Sequence, residues 1–166
     1  MLTMSWQIQI TRSKPNPAGK DRSNGRPIPA QLLGEWADLK NLGNAPVTLA
    51  VLNLAHSEFH PGCALKEEAV IYWAGPSSMA LQPGELVRVH TGRSADAWQM
   101  TYEDRAGVHH HSYAESGSFV LNNDCGDNLT LWWKGQDGLW RREDWASYGP
   151  YPGDGKILHR VGDRLV

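Results

Sequence analysis

The chain has 166 residues, with 16 basic and 18 acidic side chains and a formal charge of −2. That length suits one domain with one core, and folding at this size buries roughly 68–70% of the surface an unfolded chain exposes. Charges of both signs are interspersed, so no general field attracts a polyanion or an anionic membrane, and strong nucleic-acid binding is not expected.

The N-terminus shows no basic start followed by an apolar stretch, and no apolar run of about 18 residues occurs. The expectation is a soluble chain with no membrane span and no visible leader, its compartment left open. Along the chain the dominant signal is period 2. Trp6, Ile8 and Ile10 alternate with Gln7, Gln9 and Thr11, which predicts a half-buried strand over 6–12. A long connection, 13–34, carries Pro15, Pro17, Pro27 and Pro29, and only "PAQLLGE" (29–35) offers a turn or two of helix.

"EWADLKN" (35–41) predicts a strand with Ala37 and Leu39 inward and Trp36, Asp38 and Lys40 outward. In "VTLAVLNL" (47–54) the apolar phase shifts from Val47, Leu49 and Val51 to Leu52 and Leu54, which predicts a β-bulge. "AVIYWA" (69–74) reads as a strand buried on both faces. Pro83-Gly84 suits the centre of a type II turn, and the strand after it turns Val87 and Val89 inward, Arg88 and His90 outward.

Trp98, Met100 and Tyr102 alternate in the same way, as do His109, His111 and Tyr113. Asp137-Gly138 marks a hairpin between "LTLWW" and "LWRRE". Nine or so short strands with Gly, Pro, Asn and Asp between them predict an all-β fold, an antiparallel β-sandwich. It forms a single domain over 1–166, with 149–166 as a C-terminal extension.

Candidate chemistry is sparse. "NNDCGD" (122–127) reads as a turn, because Asn and Asp bond nearby backbone and Gly126 frees φ, whereas a calcium loop wants carboxylates at alternate positions. His56, His60 and Cys63 have spacings a zinc ion could use, with "HHH" at 109–111 as a further source of ligands, but the reading is a polar exposed loop with no metal. Cys63 and Cys125 are read as free thiols; a bridge between them would close a loop of roughly 60 residues and stabilise by about 4 kcal/mol. No Gly-x-Ser-x-Gly and no Gly-x-x-x-x-Gly-Lys-Ser/Thr occurs, so neither nucleophilic catalysis nor phosphate cradling is expected, and no cofactor.

"NPAGKD" (16–21), "GEWADLKNLGNAPVTLAVLNL" (34–54), "LQPGELVRVHTG" (81–92) and "FVLNNDCGDNLTLW" (119–132), in this order, resemble the lamin-tail domain in its bacterial form. The resemblance spans roughly residues 6 to 148. It differs in having Val51 and Leu52 where the family usually has Gly then Trp, and in lacking a heptad run, so filament assembly is not carried over. The resemblance implies an immunoglobulin-like β-sandwich of about nine strands used as a non-catalytic interaction module with a protein partner.

If consecutive strands are antiparallel, the connections 13–34, 56–68 and the one starting at Gly92 share an end, while 42–46 and 75–84 lie opposite. That loop-rich end carries the candidate binding residues His56, His60, Arg93 and Trp98. The alternative is small-ligand or nucleic-acid binding through exposed aromatics with Arg88, Arg93, Arg141 and Arg142.

Overall fold

A computed structural model describes residues 7–166; Trp6, expected inward at the start of the first strand, lies outside the described residues. The fold is all-β, with 44% strand and 12% helix. The elements are β1 (Ile8–Lys14), β2 (Arg22–Ser23), β3 (Arg26–Pro27), α1 (Pro29–Gly34), β4 (Trp36–Asn41), β5 (Val47–Thr48), β6 (Leu52–Phe59), β7 (Leu65–Ala74) and β8 (Ala80–Leu81). They continue with β9 (Leu86–His90), α2 (Tyr102–Arg105), β10 (His110–Tyr113), β11 (Asp127–Lys134), β12 (Trp140–Tyr148), β13 (Leu158–Val161) and β14 (Arg164–Leu165). Short 3-10 helices occupy Leu49–Val51 and Ser94–Gln99. Among the described residues no helix is long and apolar enough to cross a membrane.

Ten strands form one mixed sheet in the order β10-β9-β4-β1-β13-β14-β12-β11-β6-β7. The sheet curls until its two ends approach: Trp73 of β7 donates its indole N–H to Ser112 Oγ of β10 at 2.9 Å. This nearly closed barrel encloses a core that includes Ile8, Ile10, Ala37, Leu39, Leu54, Trp73, Val87, Val89, Leu129 and Leu131. Most pairs are antiparallel, but β9–β10 and β12–β14 are parallel. The β9–β10 exception follows from the connection 91–109, which is long enough to cross over and return the chain to the end where β9 began.

Local signals for turns and inward faces hold. Gly84 has φ +85° and the Glu85 N–H reaches Gln82 O, as the Pro-Gly turn requires. Gly138 has φ +80° in the β11–β12 hairpin. The phase change at 47–54 is made differently from the expected bulge: the 3-10 turn Leu49–Val51 rotates the chain between β5 and β6. β7 is not buried on both faces, because it is an end strand whose Ile71 is 55% exposed. Trp98, Met100 and Tyr102 do not alternate along a strand; they fall on the 3-10 helix, its C-cap and α2. The segment 149–166 supplies β13 and β14, which sit in the sheet between β1 and β12.

One irregularity organises the rest. The register of β1 against β4 shifts between Ile10 and Arg12, and a one-residue shift exchanges the two faces of a strand. Ile8 and Ile10 point into the core, whereas Arg12 and Lys14 turn to the opposite face beside Asp38 and Trp36. The backbone freed at the bulge is satisfied from the far end of the chain. Asp144 Oδ2 accepts the Ile10 N–H at 2.8 Å, and Arg160 donates both to Ile10 O at 2.8 Å and to the Asp144 carboxylate.

Cys63 and Cys125 form a disulfide with Cα atoms 5.4 Å apart, so they are not free thiols. Both lie in connections at the loop-rich end, where Asp127 gathers the polar groups of "NNDCGD". Its carboxylate accepts from the Ser57, Asn122 and Asn128 N–H groups and from Asn122 Nδ2. Gly126 beside it has φ +70°, and the Cβ of any other residue there would stand 2.3 Å from Tyr148 O. The stretch is the turn that starts β11.

Candidate interaction surface

The outer face of β1, β4, β9 and β10 carries Arg12, Lys14, Trp36, Asp38, Arg88 and His90. The alternation rule sends all of them to solvent, yet Trp36, Asp38 and His90 have no exposed surface and Arg88 is 1% exposed. They are covered by a cap made of α1 and the segment 94–106. Arg88 is its central fastening. Nε and Nη2 grip the two oxygens of Asp38, and Nη1 donates to the carbonyls of Glu103, Asp104 and Ala106 at 3.3, 3.1 and 2.9 Å. A guanidinium on the last carbonyls of a helix satisfies acceptors that have no intrahelical donor.

The same guanidinium lies 3.6 Å from the Trp36 ring centroid, a cation–π contact in a desolvated setting. Asp104 closes the underside: it accepts from Trp36 Nε1 at 2.9 Å, from Thr101 Oγ1 at 2.8 Å, and pairs with Lys14 Nζ at 2.5 Å. Thr101 is also the N-cap of α2, its hydroxyl accepting the Asp104 N–H. His90 ties α1 to β10, with Nδ1 2.6 Å from Leu33 O and Nε2 2.8 Å from His111 Nδ1. Burial holds the His90 pKa down at about 4. At the rim of the cap Glu35 is buried, and burial pushes its pKa up to about 7 even though Thr91 Oγ1 and the Val120 and Leu121 N–H groups all donate to Oε1.

The upper side of this cap is different in kind. Trp98 is 76% exposed and Tyr102, four residues on, 86% exposed. Arg105 is exposed beside them and donates to the carbonyls of Ala97 and Trp98. Arg93, also exposed, borders a hollow of about 230 Å³ that it shares with Arg26, Pro27, Leu32, Asp96 and Gly117, so the 13–34 connection and the segment after β9 meet at this end.

Of the four residues expected to bind, Trp98 lies on the capping segment and Arg93 immediately precedes it, at the N-cap of its 3-10 helix. His60 is exposed in the turn between β6 and β7. His56 is buried, with Nδ1 3.1 Å from Asp127 Oδ2, and faces the interior of that end. Cys63, committed to the disulfide, has no thiolate to offer a metal alongside them. Tyr102, Arg105 and the polar underside escaped the sequence reading, although Thr101-Tyr102-Glu103-Asp104 is a recognisable helix start with an N-cap Thr and acidic first turn.

Of the arginines grouped for ligand binding, Arg88 is consumed by the cap and Arg141 pairs with Asp137 on the β11–β12 hairpin. Arg142 lies over the Trp145 ring at 4.6 Å. No protein-family model and no curated protein matches this chain.

Proposed function

We propose that this chain is a non-catalytic interaction module, an immunoglobulin-like domain of lamin-tail type, that docks a protein partner on the cap formed by Trp98 and Tyr102. The observation that carries the reading is the presence of these two exposed aromatics on one segment whose underside is held by the buried Lys14–Asp104 ion pair and by Arg88 hydrogen bonds to its carbonyls. Trp, Tyr and Arg are the residues that dominate binding energy at protein interfaces. An anchor held in place before binding loses little conformational freedom when the partner arrives. Arg93 and Arg105 flank the aromatics and supply charge at the rim.

The lamin-tail resemblance of four ordered segments supports the module reading, as does the all-β architecture. The remaining arginines support nucleic-acid binding less well, since two of the four grouped for it are already engaged within the chain. The test is photo-crosslinking in the source cell. A photoreactive amino acid in place of Trp98 is expected to trap a discrete protein partner that the same probe in place of Leu65, an exposed residue of β7, does not. Equal labelling from both positions, or none from either, contradicts the proposal.

A further inference from the structure

We infer a second binding site, for a neutral oligosaccharide, on the outer face of β6, β7, β11 and β12, away from the Trp98 cap. Ile71, Ala55, Thr130 and Trp145 are successive cross-strand partners on four adjacent strands. Their sequence neighbours Leu54, Leu129, Leu131 and Ala146 fill the core, so this row faces away from it. Ile71 is 55% and Trp145 48% exposed, whereas Ala55 and Thr130 between them are buried, so the row is accessible at its two ends. Three inter-strand spacings separate the ends, about 14 Å. A hollow of about 230 Å³ lies against the Trp145 side, lined by Glu68, Asn128, Thr130, Arg142, Trp145 and Ser147 among others.

The chemistry of this hollow selects its occupant. The Arg142 guanidinium lies over the Trp145 ring at 4.6 Å, and the indole surface that stays exposed can meet the C–H side of a sugar ring. Around it stand a carboxylate, an amide, a guanidinium and two hydroxyls, a mixture of donors and acceptors that suits a ligand with many hydroxyl groups. Arg142 makes no ion pair among the described residues and rests on Trp145, and Glu68 has no side-chain hydrogen bond among them. The two charges cancel. Glu68 would oppose a phosphate or a carboxylate brought to Arg142, so an uncharged polyol is favoured over nucleic acid, heparin-like glycans or an acidic peptide. Two hydrogen bonds hold the lining in place: Trp132 donates its indole N–H to Thr130 Oγ1 at 2.9 Å, and Asn128 Nδ2 donates to Ser57 Oγ at 3.3 Å.

The test titrates the whole chain with cellohexaose, chitohexaose and xylohexaose, followed by tryptophan fluorescence and calorimetry, with a heparin hexasaccharide and oligo-dT as anionic probes. At least one neutral hexasaccharide is expected to bind saturably at up to millimolar concentration. Trp145→Ala should weaken it by at least about tenfold, equivalent to roughly 1.4 kcal/mol, and Asn128→Ala should weaken it too, while Trp98→Ala leaves it unchanged. Thermal melts confirm that each variant is folded. Absence of saturable binding to all three neutral probes overturns the inference. So does binding confined to the anionic probes, or neutral binding that survives Trp145→Ala in a folded variant. Because Trp98 is the control, failure here leaves the cap proposal standing, and failure of the cap leaves this one.

Discussion

The guanidinium of Arg88 meets the carboxylate of Asp38 in two parallel hydrogen bonds, Nε to Oδ1 at 2.8 Å and Nη2 to Oδ2 at 2.9 Å, beneath a cap that shields both from water. The pair lies where strand periodicity predicts a solvated face, and it anchors the capping segment by holding three of its carbonyls. Breaking a buried pair by removing one partner leaves the other charge uncompensated, at a cost of roughly 3–5 kcal/mol. Arg88→Met is expected to fall in that range in urea denaturation. Arg88→Lys should recover little, since an ammonium cannot reproduce the planar fork. A loss below about 1 kcal/mol for either variant contradicts this role for the pair.

Glu35 and His90 set opposing pH dependences. Burial raises the Glu35 pKa from 4.5 to about 7, so its contribution to stability is complete below pH 4.5 and is lost as pH rises to about 7. Burial lowers the His90 pKa from 6.5 to about 4, so its contribution is complete above pH 6.5 and is lost as pH falls to about 4. Between pH 4.5 and 6.5 the two slopes, each about 1.4 kcal/mol per pH unit, cancel. Relative to the unmodified chain, Glu35→Gln is expected to gain stability as pH rises through this window and His90→Gln to lose it. Denaturation free energies at pH 4.5, 5.5 and 6.5 check this, and identical pH slopes in the parent and both variants contradict it.

The Cys63–Cys125 bridge ties the connection after β6 to the turn before β11 over a sequence separation of 62. Loop-closure entropy for a loop of that size corresponds to about 4 kcal/mol. Reduction, or the Cys63→Ser/Cys125→Ser variant, is expected to lower the melting temperature by roughly 8–16 °C at this chain length. A shift under about 2 °C would mean that the unfolded chain gains no freedom from the cut.

Much of the fold was legible because its signals are local. Pro83-Gly84, Asp137-Gly138, the inward set Ala37, Leu39, Val87 and Val89, and the short helix at Pro29–Gly34 each depend on a few neighbouring residues. What escaped depends on distant partners. The bulge after Ile10 is satisfied by Asp144 and Arg160, more than 130 residues away, and nothing near Ile10 announces it. Arg88 and His90 looked solvated because alternation reports which face a residue occupies and not what later covers that face. Trp98-Gln-Met-Thr-Tyr102 mimics a strand, and only the Thr101 cap signal within it points to a helix.

The central claim is that Trp98 and Tyr102 are the docking anchors, and it is tested most directly by the affinity of the crosslinked partner, once isolated, for the parent chain and for Trp98→Ala and Tyr102→Ala. Both side chains are exposed, so both variants should keep the parent melting temperature to within about 2 °C. Each is expected to weaken binding by more than about 1 kcal/mol, with Arg93→Glu weakening it as well. Unchanged affinity in both aromatic variants, with stability retained, would contradict the account and move the interface elsewhere, with the exposed edge of β7 the next surface to probe.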